Sequence, residues 1–151
     1  MKKKIEPYDI DINTLGYYID RSLYAMIKRQ NLLLKEANSD LQHAEFIVLK
    51  VIHALGGATQ SQLAYAMGRE RSGISRTLAS LEKKGYVNRE PLNGSTNFVS
   101  LSEKGQAYVP MLYEISDRLT EQAFKGFSKK NRETMLRNLD KIFRNSLMDD
   151  K

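Results

Sequence analysis

Between residues 59 and 105 the chain sets short apolar stripes between glycines, and that spacing leaves few folds open. Leu63, Ala64 and Met67 recur at helical spacing and stop at Gly68. Ile74, Leu78 and Leu81 repeat the pattern and stop at Gly85. Thr59 opens the first of these helices with a capping box, its hydroxyl accepting from the Gln62 amide while the Gln62 side chain reaches back. The spacing predicts helices over residues 60–67 and about 70–84. Two alternating runs follow, residues 86–90 and 97–101. Pro91, Leu92, Asn93 and Gly94 between them predict a turn, since Asn-Gly is a strong hairpin signal. The order helix, turn, helix, hairpin predicts a helix-turn-helix with a β-wing.

The flanking segments are helical. From about residue 11 to 37, Leu15, Ile19, Leu23, Met26, Ile27, Leu33 and Leu34 share one face, with Asp20, Lys28, Lys35 and Glu36 opposite. A helix this long exceeds what a small core requires, so part of its apolar face is expected to bury against a second chain. Residues 42–55, rich in Phe46, Val48, Leu49, Val51, Ile52 and Leu55, predict a central core helix ended by Gly56 and Gly57. Ser102 caps a long helix with Glu103 in its first turn and Val109, Leu112, Ile115, Leu119 and Phe124 along it. Pro110 is expected to bend that helix or mark its true start. After Gly126, Ser128 caps a last helix with Met135, Leu136, Leu139, Ile142, Phe143 and Leu147 on one face. The expected fold is mostly α. Residues 38–105 form a winged helix-turn-helix, and the long terminal helices (1–37 and 106–151) form a dimerisation region. Met1 to Ile10, with Lys2, Lys3 and Lys4, reads as an arm.

The formal net charge is +6. That balance suits nucleic acid, an anionic membrane surface or an acidic partner, and selects none of them. The chain has no cysteine, which excludes a disulfide framework, a thiolate zinc site and a thiol switch. The lysine cluster is followed by Ile5, Glu6 and Pro7, not by an apolar run, and no stretch is long enough to span a membrane. A cytoplasmic protein with no membrane partner is the expectation.

Function-bearing chemistry concentrates on the second short helix. At about 100° per residue, placing Ile74, Leu78 and Leu81 inward sends Ser72, Arg76, Ala79 and Lys83 outward, with Ser75 and Ser80 on the flanks and Arg71 near the start. Short side chains let a backbone approach a major groove, arginine can fork onto guanine, and serine can bond base edges or phosphate. Ser72, Ser75 and Arg76 are the expected readers of bases or adjacent phosphates. Thr59, Gln60, Ser61 and Gln62 can offer amides and hydroxyls to phosphate. From residue 69 to 89 the cations are Arg69, Arg71, Arg76, Lys83, Lys84 and Arg89, against only Glu70 and Glu82. For any one residue a solvated helix face is the better account, and the constellation carries the functional reading.

These residues resemble the MarR family of winged-helix transcription regulators. The resemblance rests on Thr59-Gln60-Ser61-Gln62-Leu63-Ala64, Ser75-Arg76-Thr77-Leu78, Leu81-Glu82-Lys83-Lys84-Gly85-Tyr86-Val87 with Arg89, and Leu101-Ser102-Glu103-Lys104-Gly105. It implies a homodimer paired through the first helix and the last two. It implies binding to pseudo-palindromic double-stranded DNA with the recognition helix in the major groove, acting as a repressor. In many members a small aromatic or phenolic ligand between the dimer helices and the DNA-binding lobe releases the DNA. The family's wing usually carries Asp-x-Arg. Here Asn93, Gly94 and Ser95 stand in that place, the loop is about two residues shorter than usual, and the tip has no cation. Affinity is then expected to lean on Arg76, Lys83, Lys84 and Arg89. Tyr17, Tyr18, Tyr24 and Met26 with His53 are candidate pocket residues, although core and dimer packing is the simpler account of them.

Nothing in the sequence points to catalysis. His43 and His53 lie ten residues apart, and even with Glu45 nearby they make a weak metal signal. No nucleophile-base pair, phosphate loop or paired-carboxylate motif occurs, so no enzyme, metal or cofactor is expected. The alternative to a DNA-binding regulator is a protein-interaction module that keeps a winged helix without reading sequence.

Overall fold

The computed structural model describes residues 14–147, so the expected arm over Met1 to Ile10 lies outside the described residues. The chain runs α1 (Leu15–Glu36), α2 (His43–Leu55), β1 (Ala58–Thr59), α3 (Gln60–Met67), α4 (Arg71–Lys83), β2 (Val87–Asn93), β3 (Thr96–Leu101), α5 (Glu103–Ala123) and α6 (Lys129–Ser146). The mostly α, winged-helix fold is as the sequence predicts.

Helix boundaries follow local chemistry. Thr59 and Gln62 form the expected capping box on α3, with Gln62 N donating to Thr59 Oγ1 at 3.2 Å and Thr59 N to Gln62 Oε1 at 2.8 Å. Gly68 ends α3 at φ +57°, and Gly85 follows α4 at φ +81°, conformations that a Cβ makes costly. Ser102 caps α5 by accepting from Gly105 N at 3.0 Å, and Ser128 caps α6 by accepting from Asn131 N at 3.2 Å. Pro110 does not mark the start of α5, which begins at Glu103 and runs through it. The cap at Ser102 sets the start, and proline costs that helix only the amide bond to the Gln106 carbonyl and local crowding.

The sheet is antiparallel in the order β1-β3-β2. Two features depart from the sequence reading. β1 pairs Ala58 with Val99 and Thr59 with Phe98, and two residues carry no readable periodicity. Pro91, Leu92 and Asn93 belong to β2 and are not in the turn. Register slips between Pro91↔Asn97 and Asn93↔Thr96, which makes Leu92 a bulge and leaves a two-residue tip at Gly94 and Ser95. Proline is tolerated there because β2 is an edge strand.

One continuous core joins the elements. Leu33 and Leu34 of α1, Phe46, Leu49 and Ile52 of α2, Leu63, the α4 stripe Ile74, Leu78 and Leu81, and Leu112 and Ile115 of α5 are all buried together. Most of the remaining α1 stripe is not covered: Ile27 is half-buried, but Leu15, Ile19, Leu23 and Met26 stand exposed. On α6, Met135, Leu136, Leu139, Phe143 and Leu147 are exposed, and the helix buries no residue at all. Among the described residues no helix is long and apolar enough to cross a membrane.

Candidate nucleic-acid interface

Helix α4 is gripped along both flanks, and this decides which of its polar side chains are already engaged within the fold. Ile74, Leu78 and Leu81 are buried as expected. One flank faces the start of α2: Ser80 Oγ donates to Glu45 Oε1 at 2.6 Å, and Lys84 Nζ donates to Glu45 Oε2 at 2.7 Å. The other flank faces α3 and the wing. Gln60 Nε2 donates to the Arg71 carbonyl at 3.1 Å, and Arg89 Nε lies 3.0 Å from Glu82 Oε2. What remains free is the strip Ser72, Arg76, Ala79 and Lys83, all exposed, with Ser75 half-buried beside it and Arg71 exposed at the start.

The basic cluster therefore divides. Arg69, Arg71, Arg76 and Lys83 make no ion pair among the described residues, whereas Lys84 and Arg89 are each held by a glutamate. Lys84 and Arg89, both expected to support affinity, are each ion-paired with a glutamate within the fold. Arg89 Nε is buried and meets Glu82 by distance without the alignment of a hydrogen bond, so the pair is a charge contact that ties wing to helix. Thr59 spends its hydroxyl on the α3 cap, and Ser61 is exposed at the start of the same helix.

Glu45 is the group that sequence reasoning undervalued. It is only 4% exposed, and besides Ser80 and Lys84 it accepts from Gln42 N at 2.8 Å. Burial pushes its carboxyl up, but the bonds from Lys84, Ser80 and Gln42 outweigh burial and hold it below the usual glutamate value. Its signal was present in the sequence as a capping pattern, Gln42 followed by Glu45 at the third helical position. Next to it, Tyr86 OH donates to Asp40 Oδ1 at 2.5 Å. That bond, ahead of an opposing desolvation effect and nearby Lys84 and Lys104, keeps Asp40 below its ordinary value. Burial and the same carboxylate push the Tyr86 phenol far up.

The candidate ligand residues are not brought together. Tyr17 packs edge-on to Tyr18 near Arg21, and Tyr24 is exposed. His53 Nδ1 lies 3.1 Å from Tyr113 OH. Met26 instead lines a cavity of about 250 Å³ between α1, α2 and α5, with Gln30, His43, Phe46, Lys50 and Ser116. His43 bonds Gln30 Oε1 through Nδ1 at 2.5 Å, and burial, with Arg69 nearby, lowers its pKa. Lys50 Nζ donates to Ser116 Oγ at 2.5 Å, and burial lowers its pKa against the pull of Asp117.

Comparison with known proteins meets this geometry at the helix-turn-helix. The MarR family model matches residues 41–96, which reach from the entry of α2 through the wing tip. Among curated relatives, an uncharacterized HTH-type transcriptional regulator of Bacillus cereus is 37% identical over 97 residues, covering 63% of this chain and 65% of that protein. Among solved structures, a MarR-family transcriptional regulator from Listeria monocytogenes, complexed with 26mer DNA, superposes with a TM-score of 0.80 at 25% identity. That match covers 89% of each chain. Residues 41–96 are therefore similar to the MarR family, and the fold around them is the one that these MarR structures share. A mutant MarR from E. coli, complexed with operator DNA, shares the fold at a TM-score of 0.75 and 23% identity, over 85% of this chain and 92% of that one. The matched span covers just under two thirds of the Bacillus cereus relative's length. Within its MarR fold this chain keeps its own wing, with a two-residue tip, no cation between Asn93 and Asn97, and an exposed Leu92 on the bulge.

Proposed function

We propose that this chain is a MarR-family DNA-binding transcriptional regulator, a repressor, that binds pseudo-palindromic duplex DNA as a homodimer. The observation that carries this reading is the outward strip of α4. Its small Ser72 and Ala79 permit close approach, and unpaired Arg76 and Lys83 sit beside Arg69 and Arg71. A helix of that shape and charge suits a major groove. The structurally similar Listeria monocytogenes and E. coli proteins, each complexed with DNA, support it. Ser72, Ser75 and Arg76 are the proposed readers. Thr59, Gln60, Ser61, Arg71 and Lys83 are the proposed phosphate partners, and Arg89 acts by holding the wing.

Residues 38–105 are the proposed DNA-binding unit, with the helices on either side as the dimerisation region. The exposed stripes of α1 and α6 support this, since unpaired apolar faces of that length favour a second copy. Dimerisation sets the separation of the two α4 helices, and half-sites about 34 Å apart are readable only when it matches. A small aromatic ligand in the Met26 cavity, contacting α1, α2 and α5 at once, would lower DNA affinity by favouring a mismatched separation.

The test is a mobility shift on duplexes selected from a random library, with Arg76→Ala alongside. Losing a base-reading arginine is expected to cost about 1–3 kcal/mol of discrimination at one base position. Binding of every duplex with equal strength, or unchanged preference in Arg76→Ala, refutes the assignment.

A further inference from the structure

Lys84 stands beside Lys83 at the end of α4, where the sequence leads one to expect both to support affinity. Their surroundings differ. Lys83 is exposed and unpaired. Lys84 Nζ donates to Glu45 Oε2 and to the Asp40 carbonyl, each at 2.7 Å, and the Lys84 carbonyl accepts from Lys104 Nζ at 2.7 Å. Lys104 Nζ also sits 4.2 Å from the centre of the Tyr86 ring, and Tyr86 OH holds Asp40. One turn earlier, Ser80 takes the other oxygen of Glu45.

A single buried carboxylate thus grips α4 at two points, i and i+4, along the edge that faces α2. Two attachments one turn apart on one edge resist rotation of the helix about its axis. Rotation is the motion that matters for reading DNA: with side chains reaching about 5–6 Å from the axis, a turn of about 20° moves their tips by roughly 2 Å, enough to break a hydrogen bond to a base. Releasing Lys84 to a phosphate would leave Glu45 buried without its counter-charge, a strongly unfavourable exchange.

We propose that Glu45 and Lys84 are positioning residues that set the rotation of the recognition helix, and that Lys84 contacts no phosphate. This rests on the DNA-reading role of α4 and adds the device that orients it. The Gln30–His43 bond lies two residues from Glu45 on α2, so the same strap gives α1 a physical route to α4 through the first turn of α2.

Full-length wild type, Lys84→Met, Lys84→Arg, Lys83→Met and Ser80→Ala are compared on a duplex selected by the wild type and on a random duplex, across a salt series. Lys84→Met is expected to lower the selected-over-random ratio by roughly tenfold, the scale of one lost bidentate base contact, with the salt slope unchanged. Lys84→Arg, which can still donate to Glu45 and the Asp40 carbonyl, restores the ratio. Lys83→Met shows the contrasting pattern, a slope reduced by about one per protomer with the ratio kept. Two results overturn the proposal. A slope reduced in Lys84→Met with the ratio intact makes Lys84 a phosphate contact. An intact ratio and slope with only a lower unfolding midpoint makes the strap a stability feature alone. If Lys84→Met fails to fold by circular dichroism, Ser80→Ala decides: a lower ratio at unchanged slope supports the strap, and an unchanged ratio refutes it. If the wild type selects no duplex, the regulator reading itself falls, an outcome separate from all of these.

Discussion

Gly105 is where a side chain would do most damage for its size. It sits in the first turn of α5, and a Cβ built on it would lie 2.2 Å from the Tyr86 carbonyl oxygen and 3.3 Å from Leu101 Cβ. Carbon and oxygen rest at about 3.3 Å or more, so Gly105→Ala requires roughly 1 Å of movement between α5 and the chain leaving α4. That movement strains the Ser102 N bond to the same Tyr86 oxygen, 3.0 Å long, and shifts Tyr86, which is fully buried. Overpacking of this kind costs about 1–3 kcal/mol and a weakened hydrogen bond about 1, against up to about 1 gained from helix propensity. The net expectation is about 2 kcal/mol of destabilisation, or roughly 1 M in urea midpoint. Gly73→Ala is the control. Gly73 is also in the first turn of a helix, α4, but a Cβ there meets nothing within 4 Å. It should raise stability by up to about 1 kcal/mol. Urea unfolding at fixed protomer concentration reads both. A Gly105→Ala midpoint at or above wild type refutes the close-approach argument, as does movement of both variants in the same direction.

Glu45 predicts a pH signature. Its folded pKa is lowered from 4.5, so the stability it contributes is complete above that value and is lost as pH falls through the folded one. Glu45→Gln should cost about 3 kcal/mol near neutral pH, the lower end for a broken buried pair because Lys84 stays partly solvated. Its stability curve below pH 4.5 should be flatter than that of the wild type, with Asp40 supplying the remaining slope. Parallel curves in urea titrations would remove Glu45 as the source. The apolar stripe of α6 supplies another prediction: Leu139→Glu, on a residue exposed within one chain, should leave the circular dichroism spectrum intact and halve the mass seen by sedimentation. A wild type at the mass of one chain would refute the proposed homodimer, and an unchanged mass in a dimeric wild type would refute the α6 contact.

Most of the helical fold was legible in sequence because its signals are local. A threonine three residues before a glutamine, a glycine after an apolar stripe and a serine before a long helix each specify backbone geometry within one turn. The wing was less legible. Asn-Gly announced the hairpin but misplaced its turn, because Pro91 reads as a turn residue wherever it stands, and only pairing with β3 shows it on an edge. β1 is too short to have a period. Among site residues the outward strip followed from helical geometry alone, whereas the fate of Lys84 and Arg89 depended on partners 39 and 7 residues away in the chain.

The sequence by itself determined where helices begin and end, which stripe of α4 turns inward and hence which turns outward. Those follow from dihedral preferences and a period of 3.6 residues. Only the tertiary structure decided which cations of the basic cluster remain free, because a charge is neutralised by whatever the fold brings within a few ångströms. Glu45 and Glu82 take Lys84 and Arg89, and the cations left without an ion pair among the described residues are Arg69, Arg71, Arg76 and Lys83.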